Sequence, residues 1–174
     1  MRNLHRILLS LSFIFFVLPI HSASSSFDYK NQPASFWKKV LKPEVHNICR
    51  ENGTEKAGSG ELDKVYDKGT YYCACCGGDH PVYRSEAKYD SKTGWPSFTE
   101  PYTPESVELV QEKSLLDPLF GPRTEVRCGR CGSHLGHVFD DGPAPTFKRY
   151  CMNSLALTFT PEGKSVTRTY NVPN

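Results

Sequence analysis

The sequence predicts a mainly β domain with a short helical N-terminal cover, and three observations support this prediction. The 174 residues, 38% hydrophobic and 23% charged, suit one globular domain. After Gly53, short runs rich in β-branched and aromatic residues alternate with glycine and proline. Two cysteine pairs, far apart in the chain, have the spacing of metal-binding turns.

The beginning of the chain has the composition of a secretory signal peptide. Arg2 and Arg6 precede an apolar run from Ile7 to Ile20, and small residues follow where a signal peptidase could cut. A membrane anchor is the alternative, but about 14 apolar residues fall short of the roughly 20 that a spanning helix needs. We predict a signal peptide at 1–24, a flexible lead at 25–32 and the domain at 33–174.

The charge of the mature chain argues against nucleic acid or an anionic membrane as partner. The chain has 21 lysines and arginines against 19 acidic residues, and residues 1–24 contain two of the arginines and no acid. The remaining charges balance, so no net field attracts phosphate groups. We expect export through the secretory pathway, to a bacterial periplasm or to a eukaryotic endoplasmic reticulum or extracellular space, with no membrane span in the mature chain.

The N-terminal cover and the strands follow from local signals. Pro33 opens a helical segment, Phe36 and Trp37 begin its apolar face, and Pro43 breaks it into two short pieces. Strands are predicted for TYYC, PVYR, VELVQ, TEVRC, HVF and LALTF. Two long loops, DSKTGWPSFTEPYTPES and DDGPAPTFKRY, are candidates for function, although each could also be an exposed connector.

The two cysteine pairs predict a zinc site. Cys73 and Cys76, like Cys128 and Cys131, have the form C-x-x-C-G. A tight turn directs both sulfur atoms of a pair to one point, and the glycine relieves the strained backbone that follows. Disulfides are the alternative, but they do not require paired spacing with trailing glycines. Because four protein ligands leave no open position, we predict one structural Zn²⁺ that takes no part in the reaction.

A lone cysteine in RYCMNS is a candidate nucleophile. If KRYCMNSLALTF is one strand, Arg149, Cys151 and Asn153 lie on the same face. An arginine favours the thiolate form of a nearby cysteine, and an amide can hydrogen-bond the sulfur or a bound polar group. A buried structural cysteine is the alternative, and this segment alone does not decide between them.

Two histidines follow the second cysteine pair. His134 and His137 would face opposite sides of a regular strand, but Gly136 permits a bulge that turns both rings one way. Surface or core histidines are one alternative. Zinc ligation by the two histidines is another, but the four thiolates already complete the metal shell. We predict that both handle protons or orient a substrate.

The loop TGWPSF holds Trp95 on a stiff backbone, where its ring could form an apolar wall for a substrate. A core tryptophan is the alternative. These residues indicate a zinc-stabilised β domain with a cysteine nucleophile and histidine proton donors, but they do not name a substrate.

From about Trp37 to Phe159 the sequence resembles the type B methionine sulfoxide reductases. The resemblance lies in GTYYCACCG, AKYDSKTGWPSF, RTEVRCGRCGSHLGHVFDDGPAPT and RYCMNSLALTF. It implies two antiparallel sheets that form a small open barrel around the active site, with zinc held away from the chemistry. It also implies reduction of the R epimer of methionine sulfoxide, free or within oxidised proteins.

The resemblance implies roles for most of the candidate residues. Cys151 matches the nucleophile, and His134, His137 and Asn153 match the residues that orient or protonate the sulfoxide oxygen. Trp95 matches the indole that receives the methyl group, and Arg149 is the second predicted substrate-binding residue. The implied zinc ligands are Cys73, Cys76, Cys128 and Cys131.

The sequence departs from the family where the nucleophile would be regenerated. Many members have a resolving cysteine just before GWPSF, and here that position is Thr93. Of the two spare thiols, Cys75 lies between metal ligands, whereas Cys49 lies beside the glycine-rich stretch ENGTEKAGSGE. We predict that Cys49 resolves the sulfenic acid of Cys151, followed by a thioredoxin-like reductant. Direct reduction by a small thiol is the alternative.

A non-catalytic binding or chaperone module stabilised by zinc is the alternative function. It accounts for the paired cysteines, but not for a lone cysteine accompanied by Arg149 and Asn153. A further departure, Phe147 where many family members have glycine, predicts a narrower pocket or altered access for protein substrates.

Overall fold

The structure is a computed structural model and describes residues 27–112 and 122–170. The predicted signal peptide at 1–24 and the first residues of the predicted lead lie outside the described residues. In the described ranges, no helix is long and apolar enough to cross a membrane.

The predicted N-terminal cover is present as two helices, α1 (Ala34–Val40) and α2 (Pro43–Glu51). Proline at the first position of α2 has no N–H to leave unpaired, and Asn52 ends the helix in the left-handed conformation. Trp37 is fully buried beneath Arg50, whose guanidinium lies 4.6 Å from the ring centre. Arg50 also donates hydrogen bonds to Cys131 O at 3.2 Å and Ser133 Oγ at 3.1 Å, so α2 is tied to the second cysteine turn.

Nine strands form two antiparallel sheets in the described residues, as predicted. The smaller sheet has the order β2-β1-β9, with β1 (Gly69–Cys73), β2 (Pro81–Arg84) and β9 (Leu157–Pro161). The larger has the order β3-β4-β8-β7-β6-β5, with β3 (Lys88–Tyr89), β4 (Ser97–Phe98), β5 (Val107–Gln111), β6 (Thr124–Cys128), β7 (His134–Phe139) and β8 (Arg149–Met152).

Aromatic residues from both sheets form the core. Tyr83 of the smaller sheet stacks on Phe98 of the larger, with ring centres 4.2 Å apart, and Tyr71 meets the same ring edge-on at 5.0 Å. The Tyr83 hydroxyl donates to Met152 Sδ at 3.2 Å. Each of these four side chains is fully buried, so the strand that carries Cys151 is packed against the core through Met152.

The segment 148–159 is not one strand, which corrects the prediction made from KRYCMNSLALTF. β8 ends at Met152, a short 3₁₀ turn spans Ser154–Ala156, and β9 then joins the other sheet. The chain must cross between sheets here, and the N–H groups of Ser154 and Leu155 donate to a side chain rather than to a neighbouring strand. Asn153 therefore lies beyond the strand and does not continue the face of Arg149 and Cys151.

Candidate active site and metal site

The four cysteines of the two pairs form one buried cluster. Their sulfur atoms all lie within 4.8 Å of one another, with Cys73 and Cys131 at 3.9 Å and Cys76 and Cys128 at 3.4 Å. Four thiolates around a tetrahedral zinc, each at about 2.3 Å, would lie about 3.8 Å apart. The cluster therefore has the composition and spacing of a site that could hold a metal ion.

Local turns bring the cluster together. Gly77 and Gly132, which follow the second cysteine of each pair, have φ values of 79° and 67°, in the left-handed region that favours glycine. The Gly132 N–H donates to Cys128 O at 2.8 Å, and the Cys128 N–H donates to Ser133 O at 2.8 Å. This turn leads directly into β7, so the cluster also fixes where the two histidines begin.

Cys151 lies in the middle of the larger sheet. It is paired with Ser97 on β4 and with His137 on β7. Directly opposed residues of antiparallel strands share a face, so these three side chains lie on the same side of the sheet. A Cβ atom on Gly136 would lie 2.1 Å from Cys151 O, and glycine is therefore required for β7 to approach this closely.

Hydroxyl groups surround the thiol of Cys151. Thr93 Oγ1 lies 4.0 Å from its sulfur, and Ser91 Oγ links Thr93 Oγ1, at 2.8 Å, to Ser97 Oγ, at 2.7 Å. Burial raises the pKa of the Cys151 thiol, whereas Arg149, Thr93 and Ser97 oppose the shift, and the net direction is upward. Cys151 is thus a half-buried thiol among groups that can stabilise its anion.

Arg149 is paired with a carboxylate that the sequence did not identify. Its Nε and one terminal nitrogen donate to the two oxygens of Asp141 at 2.8 Å and 2.9 Å. The guanidinium also lies 4.3 Å from the ring centre of Phe139. Because Asp141 offsets part of its charge, Arg149 favours the Cys151 thiolate less than an isolated arginine would.

The two histidines are brought together by a bulge in β7. Val126 is paired with Gly136 and Arg127 with His134, so Leu135 is an extra residue on this strand. The two imidazole rings lie 5.3 Å apart, centre to centre, and Gly136 lies within the bulge as the sequence predicted. Both rings therefore occupy one region, close to the strand position opposite Cys151.

His134 is held by a buried carboxylate. Its Nδ1 lies 2.8 Å from Glu125 Oε1, and the exposed fractions of the two side chains are 2% and 1%. Although burial raises the pKa of Glu125, hydrogen bonds with Arg127 and His134 lower it below its ordinary value. An ionised Glu125 requires the hydrogen on Nδ1, and the buried Nε2 has no partner among the described residues.

His137 has a more polar setting. Its Nε2 lies 3.1 Å from Glu112 Oε2, and the same oxygen accepts hydrogen bonds from Arg123. Burial lowers the pKa of His137, and Arg123 and His134 lower it further, while Glu112 opposes them. The ring is therefore neutral at neutral pH, and a negative charge that develops beside it would favour the protonated form.

Asn153 and Trp95 both bind the same residue. The Asn153 side chain accepts the Glu55 N–H on Oδ1 at 3.0 Å and donates from Nδ2 to Leu135 O at 3.1 Å. The Trp95 indole N–H donates to Glu55 O at 3.1 Å, and its ring is half-buried. Sequence reasoning did not identify Glu55, which contacts both.

Cys49 and Cys151 lie in different surroundings. Cys49 lies within helix α2 and is only 2% exposed, and the groups that affect the pKa of its thiol are Cys75 and three cysteines of the cluster, Cys73, Cys128 and Cys131. The groups that lower the pKa of the Cys151 thiol are Arg149 and the hydroxyls of Thr93 and Ser97. Phe147 is 62% exposed in the turn before β8, so its side chain is not packed over the buried part of this site.

Comparisons with known proteins identify the same stretch of chain. The SelR domain family matches residues 41–161. The peptide methionine sulfoxide reductase MsrB of Methanosarcina barkeri is 50% identical over 126 residues, which cover 72% of this chain and 84% of that protein. The protein of that name from Pseudomonas syringae is 46% identical over 125 residues, covering 72% and 91%.

A plant protein gives a similar result. The peptide methionine sulfoxide reductase B1, chloroplastic, of Arabidopsis thaliana is 49% identical over 132 residues, which cover 74% of this chain and 62% of the plant protein. The family match spans well over half of the chain and includes both the four-cysteine cluster and the region of Cys151. The chain therefore belongs to the SelR domain family, the type B methionine sulfoxide reductases.

Proposed function

We propose that this protein reduces the R epimer of methionine sulfoxide to methionine, in oxidised proteins or as the free amino acid, with Cys151 as the nucleophile. The observation that carries this proposal is the position of Cys151. Hydroxyl groups lie near its thiol, and His137 is paired with it on the neighbouring strand β7. Relatives whose sequences are about 50% identical to this chain carry the name peptide methionine sulfoxide reductase, which supports the same reaction.

Sulfoxide chemistry explains why a thiol and a proton donor are needed together. The sulfur of the S=O group is electrophilic, but its bond to oxygen breaks only as the oxygen gains a proton. The Cys151 sulfur attacks, the sulfoxide sulfur gains two electrons, and the oxygen is transferred to cysteine. The products are methionine and Cys151 sulfenic acid.

His137 is the proton donor that the geometry favours. It is paired with Cys151 across the sheet, and Glu112 stabilises its protonated form as negative charge develops on the oxygen. His134, oriented by Glu125, is the second candidate, since its buried Nε2 has no partner in the described residues. Asn153 uses only one Nδ2 hydrogen in those residues, which leaves the other for the sulfoxide oxygen.

Selectivity for one epimer follows from three unlike surroundings. A sulfoxide sulfur carries an oxygen, a methyl group and a longer carbon chain, so a site that fixes the oxygen and the methyl group and leaves one direction open for the chain selects one configuration at sulfur. The histidines and Asn153 form the polar side for the oxygen. Trp95, half-buried with its N–H bound to Glu55, forms the apolar side for the methyl group.

Regeneration of Cys151 has two possible routes. If Cys49 resolves the sulfenic acid, as predicted, a thioredoxin-like reductant then opens the disulfide. To form that disulfide, the Cα atom of Cys49 would have to come within about 7 Å of the Cα atom of Cys151. Because Cys49 is buried in α2 beside Cys75, this route requires α2 to move. Direct reduction by a small thiol requires no such movement, since Cys151 is half-buried.

For the four-cysteine cluster we propose one structural Zn²⁺ with Cys73, Cys76, Cys128 and Cys131 as ligands. Four soft sulfur donors at these separations suit a tetrahedral thiolate site. When bound, the metal connects the turn after β1 to the turn before β7 and supplies no open position for substrate. Its contribution is to the fold that holds His134 and His137.

Export through the secretory pathway is also a proposal, based on the composition of residues 1–24. Expressing the full chain and measuring the mass of the mature protein tests it. A mature chain that begins near residue 25 and is recovered outside the cytoplasm is expected. An intact chain retained in the cytoplasm would contradict it.

The reductase proposal is tested with purified protein, both epimers of a peptide methionine sulfoxide and dithiothreitol. Turnover of the R epimer alone is expected, and Cys151→Ser should abolish it. If the wild-type protein folds but converts neither epimer, the non-catalytic binding or chaperone module becomes the better account. Conversion of the S epimer at a similar rate would contradict the assignment of the polar and apolar sides.

A further inference from the structure

Both the backbone and the side chain of Glu55 are hydrogen-bonded beside the proposed active site. It lies in the loop between α2 and β1 and is 8% exposed. Its N–H donates to Asn153 Oδ1, and its carbonyl accepts from the Trp95 indole. Its carboxylate accepts the N–H groups of Ser154 and Leu155 at 2.6 Å and 3.0 Å. Partners 40 to 100 residues away in sequence therefore converge on one residue.

The carboxylate holds the turn that follows Cys151. Ser154 and Leu155 begin the 3₁₀ turn at which the chain leaves one sheet for the other, so their N–H groups have no strand partner. A carboxylate that accepts two backbone N–H groups makes charge-assisted hydrogen bonds, which are stronger than neutral ones. The same turn is bound from the loop a second time, because the Leu62 N–H donates to Ser154 Oγ at 2.9 Å.

The backbone of Glu55 orients two proposed substrate-binding groups. Because Asn153 Oδ1 accepts the Glu55 N–H, the amide is turned so that Nδ2 faces Leu135 O and the opposite side of the site. The Trp95 N–H, bound to Glu55 O, fixes the direction of the indole plane. The side chain of Glu55 anchors this backbone, so its loss should free both groups at once.

We propose that Glu55 is a positioning residue of the reductase reaction, which holds the amide of Asn153 and the indole of Trp95 in the geometry that binds the sulfoxide. The inference rests on the proposed function. Glu55 itself contacts no reacting atom and acts through those two residues. Its effect should therefore appear in substrate reduction and in the environment of Trp95, and not in the reactivity of Cys151.

The test compares Glu55→Gln with Glu61→Gln. The first keeps the volume of the side chain but presents an NH₂ group to one of two backbone N–H donors. The second removes a charge from an exposed glutamate in the same loop and has no hydrogen bond to the turn in the described residues. Both are assayed by steady-state reduction of a peptide sulfoxide with dithiothreitol, well below the unfolding temperature.

For Glu55→Gln, kcat/KM should fall roughly 10- to 100-fold, the effect expected of misplacing substrate-binding groups by about 1 Å. Alkylation of Cys151 by iodoacetamide should keep its wild-type rate, because Glu55 is not among the groups that shift the pKa of that thiol. Glu61→Gln should match the wild type in both. In a double-mutant cycle with Asn153→Ala, the combined loss should be smaller than the product of the single losses.

Acrylamide quenching of tryptophan fluorescence provides a readout independent of turnover. The chain has two tryptophans, Trp37 is fully buried, and quenching therefore reports Trp95. Quenching should increase in Glu55→Gln and stay unchanged in Glu61→Gln. A lower melting temperature with wild-type kcat/KM and wild-type quenching would overturn the proposal and leave Glu55 a purely structural residue.

The two proposals can fail separately. If the wild-type protein does not reduce methionine sulfoxide, the proposed function fails, but the quenching comparison still shows whether Glu55 fixes Trp95. If the wild type reduces the sulfoxide and Glu55→Gln does so equally well, only the positioning role fails.

Discussion

The four-cysteine cluster and the surroundings of Cys151 use the same side chain for different purposes. In the cluster each sulfur atom lies within 4.8 Å of the three others, and all four side chains are buried. Around Cys151 the neighbours are hydroxyls and a guanidinium, and the thiol is half-buried. A set of converging thiols suits a metal ion, whereas one thiol among groups that stabilise its anion suits nucleophilic attack.

The two regions are also assembled differently. Each half of the cluster is a local turn whose cysteines are three residues apart, and only two halves must meet. The region of Cys151 draws its residues from several strands and loops, including Ser97, His137 and Trp95. The cluster should therefore determine whether the domain folds, and the second region whether the folded domain reacts.

The largest expected effect is on the cluster. Removing the proposed Zn²⁺ with a chelator, or changing Cys73 or Cys128 to serine, should unfold the domain, because the binding free energy of a closed thiolate site is on the order of 10 kcal/mol. Thermal unfolding followed by circular dichroism measures this. Cys151→Ser is the matched control, since it should keep the melting temperature and lose all turnover. A chelated protein with an unchanged melting temperature would contradict the structural role of the metal.

The second expected effect is on turnover alone. His137→Ala and His134→Ala should each keep the fold, and the double variant should lower the single-turnover rate by roughly 10²- to 10⁴-fold through loss of proton transfer. His46→Ala, a histidine on α2 outside the site, is the control and should react normally. If the double variant keeps a near-normal rate, the proton must come from another group.

Features that depend on neighbouring residues, such as the cysteine turns, were predicted from the sequence better than the long-range contacts around Cys151. C-x-x-C-G fixes a turn by itself, and Pro33 and Pro43 mark the two helices, so the structure has them where the sequence placed them. The bulge at Leu135 was also signalled, because Gly136 separates two histidines. These features depend on neighbouring residues, whose periodicity and turn chemistry can be read directly.

The partners of the site residues could not be predicted in the same way. Glu55, Glu112, Glu125 and Asp141 lie in unremarkable polar contexts, and each gains its role from a residue at least eight positions away. The end of β8 after Met152 was not predicted, because the turn that follows it is held by the carboxylate of Glu55, almost one hundred residues earlier in the chain. Pairings of this kind depend on sheet order and register, which the pattern of one segment does not specify.

The pH dependence tests whether Cys151 and His137 act as a pair. Burial raises the pKa of the first and lowers that of the second, so at neutral pH the thiol is protonated and the imidazole is neutral. Between the two pKa values the thiolate fraction rises about tenfold per pH unit while the imidazolium fraction falls about tenfold. A rate that needs both forms should therefore stay nearly constant from about pH 7 to 8.5.

Alkylation of Cys151 should behave differently over the same range. It needs only the thiolate and should rise close to tenfold per pH unit, as measured by mass spectrometry of the peptide that contains Cys151. The charged groups that act on the pair are Arg149, near the thiol, and Glu112 and Arg123, near the imidazole. A reduction rate that rises in parallel with alkylation would show that His137 is not the proton donor.

The smallest expected effect is that of Cys49 when a small thiol is the reductant. Dithiothreitol can reach the half-buried Cys151 directly, so Cys49→Ser should turn over within about twofold of the wild type. With a thioredoxin-like reductant the same variant should lose turnover if Cys49 resolves the sulfenic acid, because no disulfide would then form for that reductant. One equivalent of substrate, thiol blocking and peptide mass mapping distinguish the routes. A Cys49–Cys151 disulfide would require α2 to move during the reaction, whereas an alkylated Cys49 beside a trapped Cys151 sulfenic acid would contradict the Cys49 route and establish direct reduction.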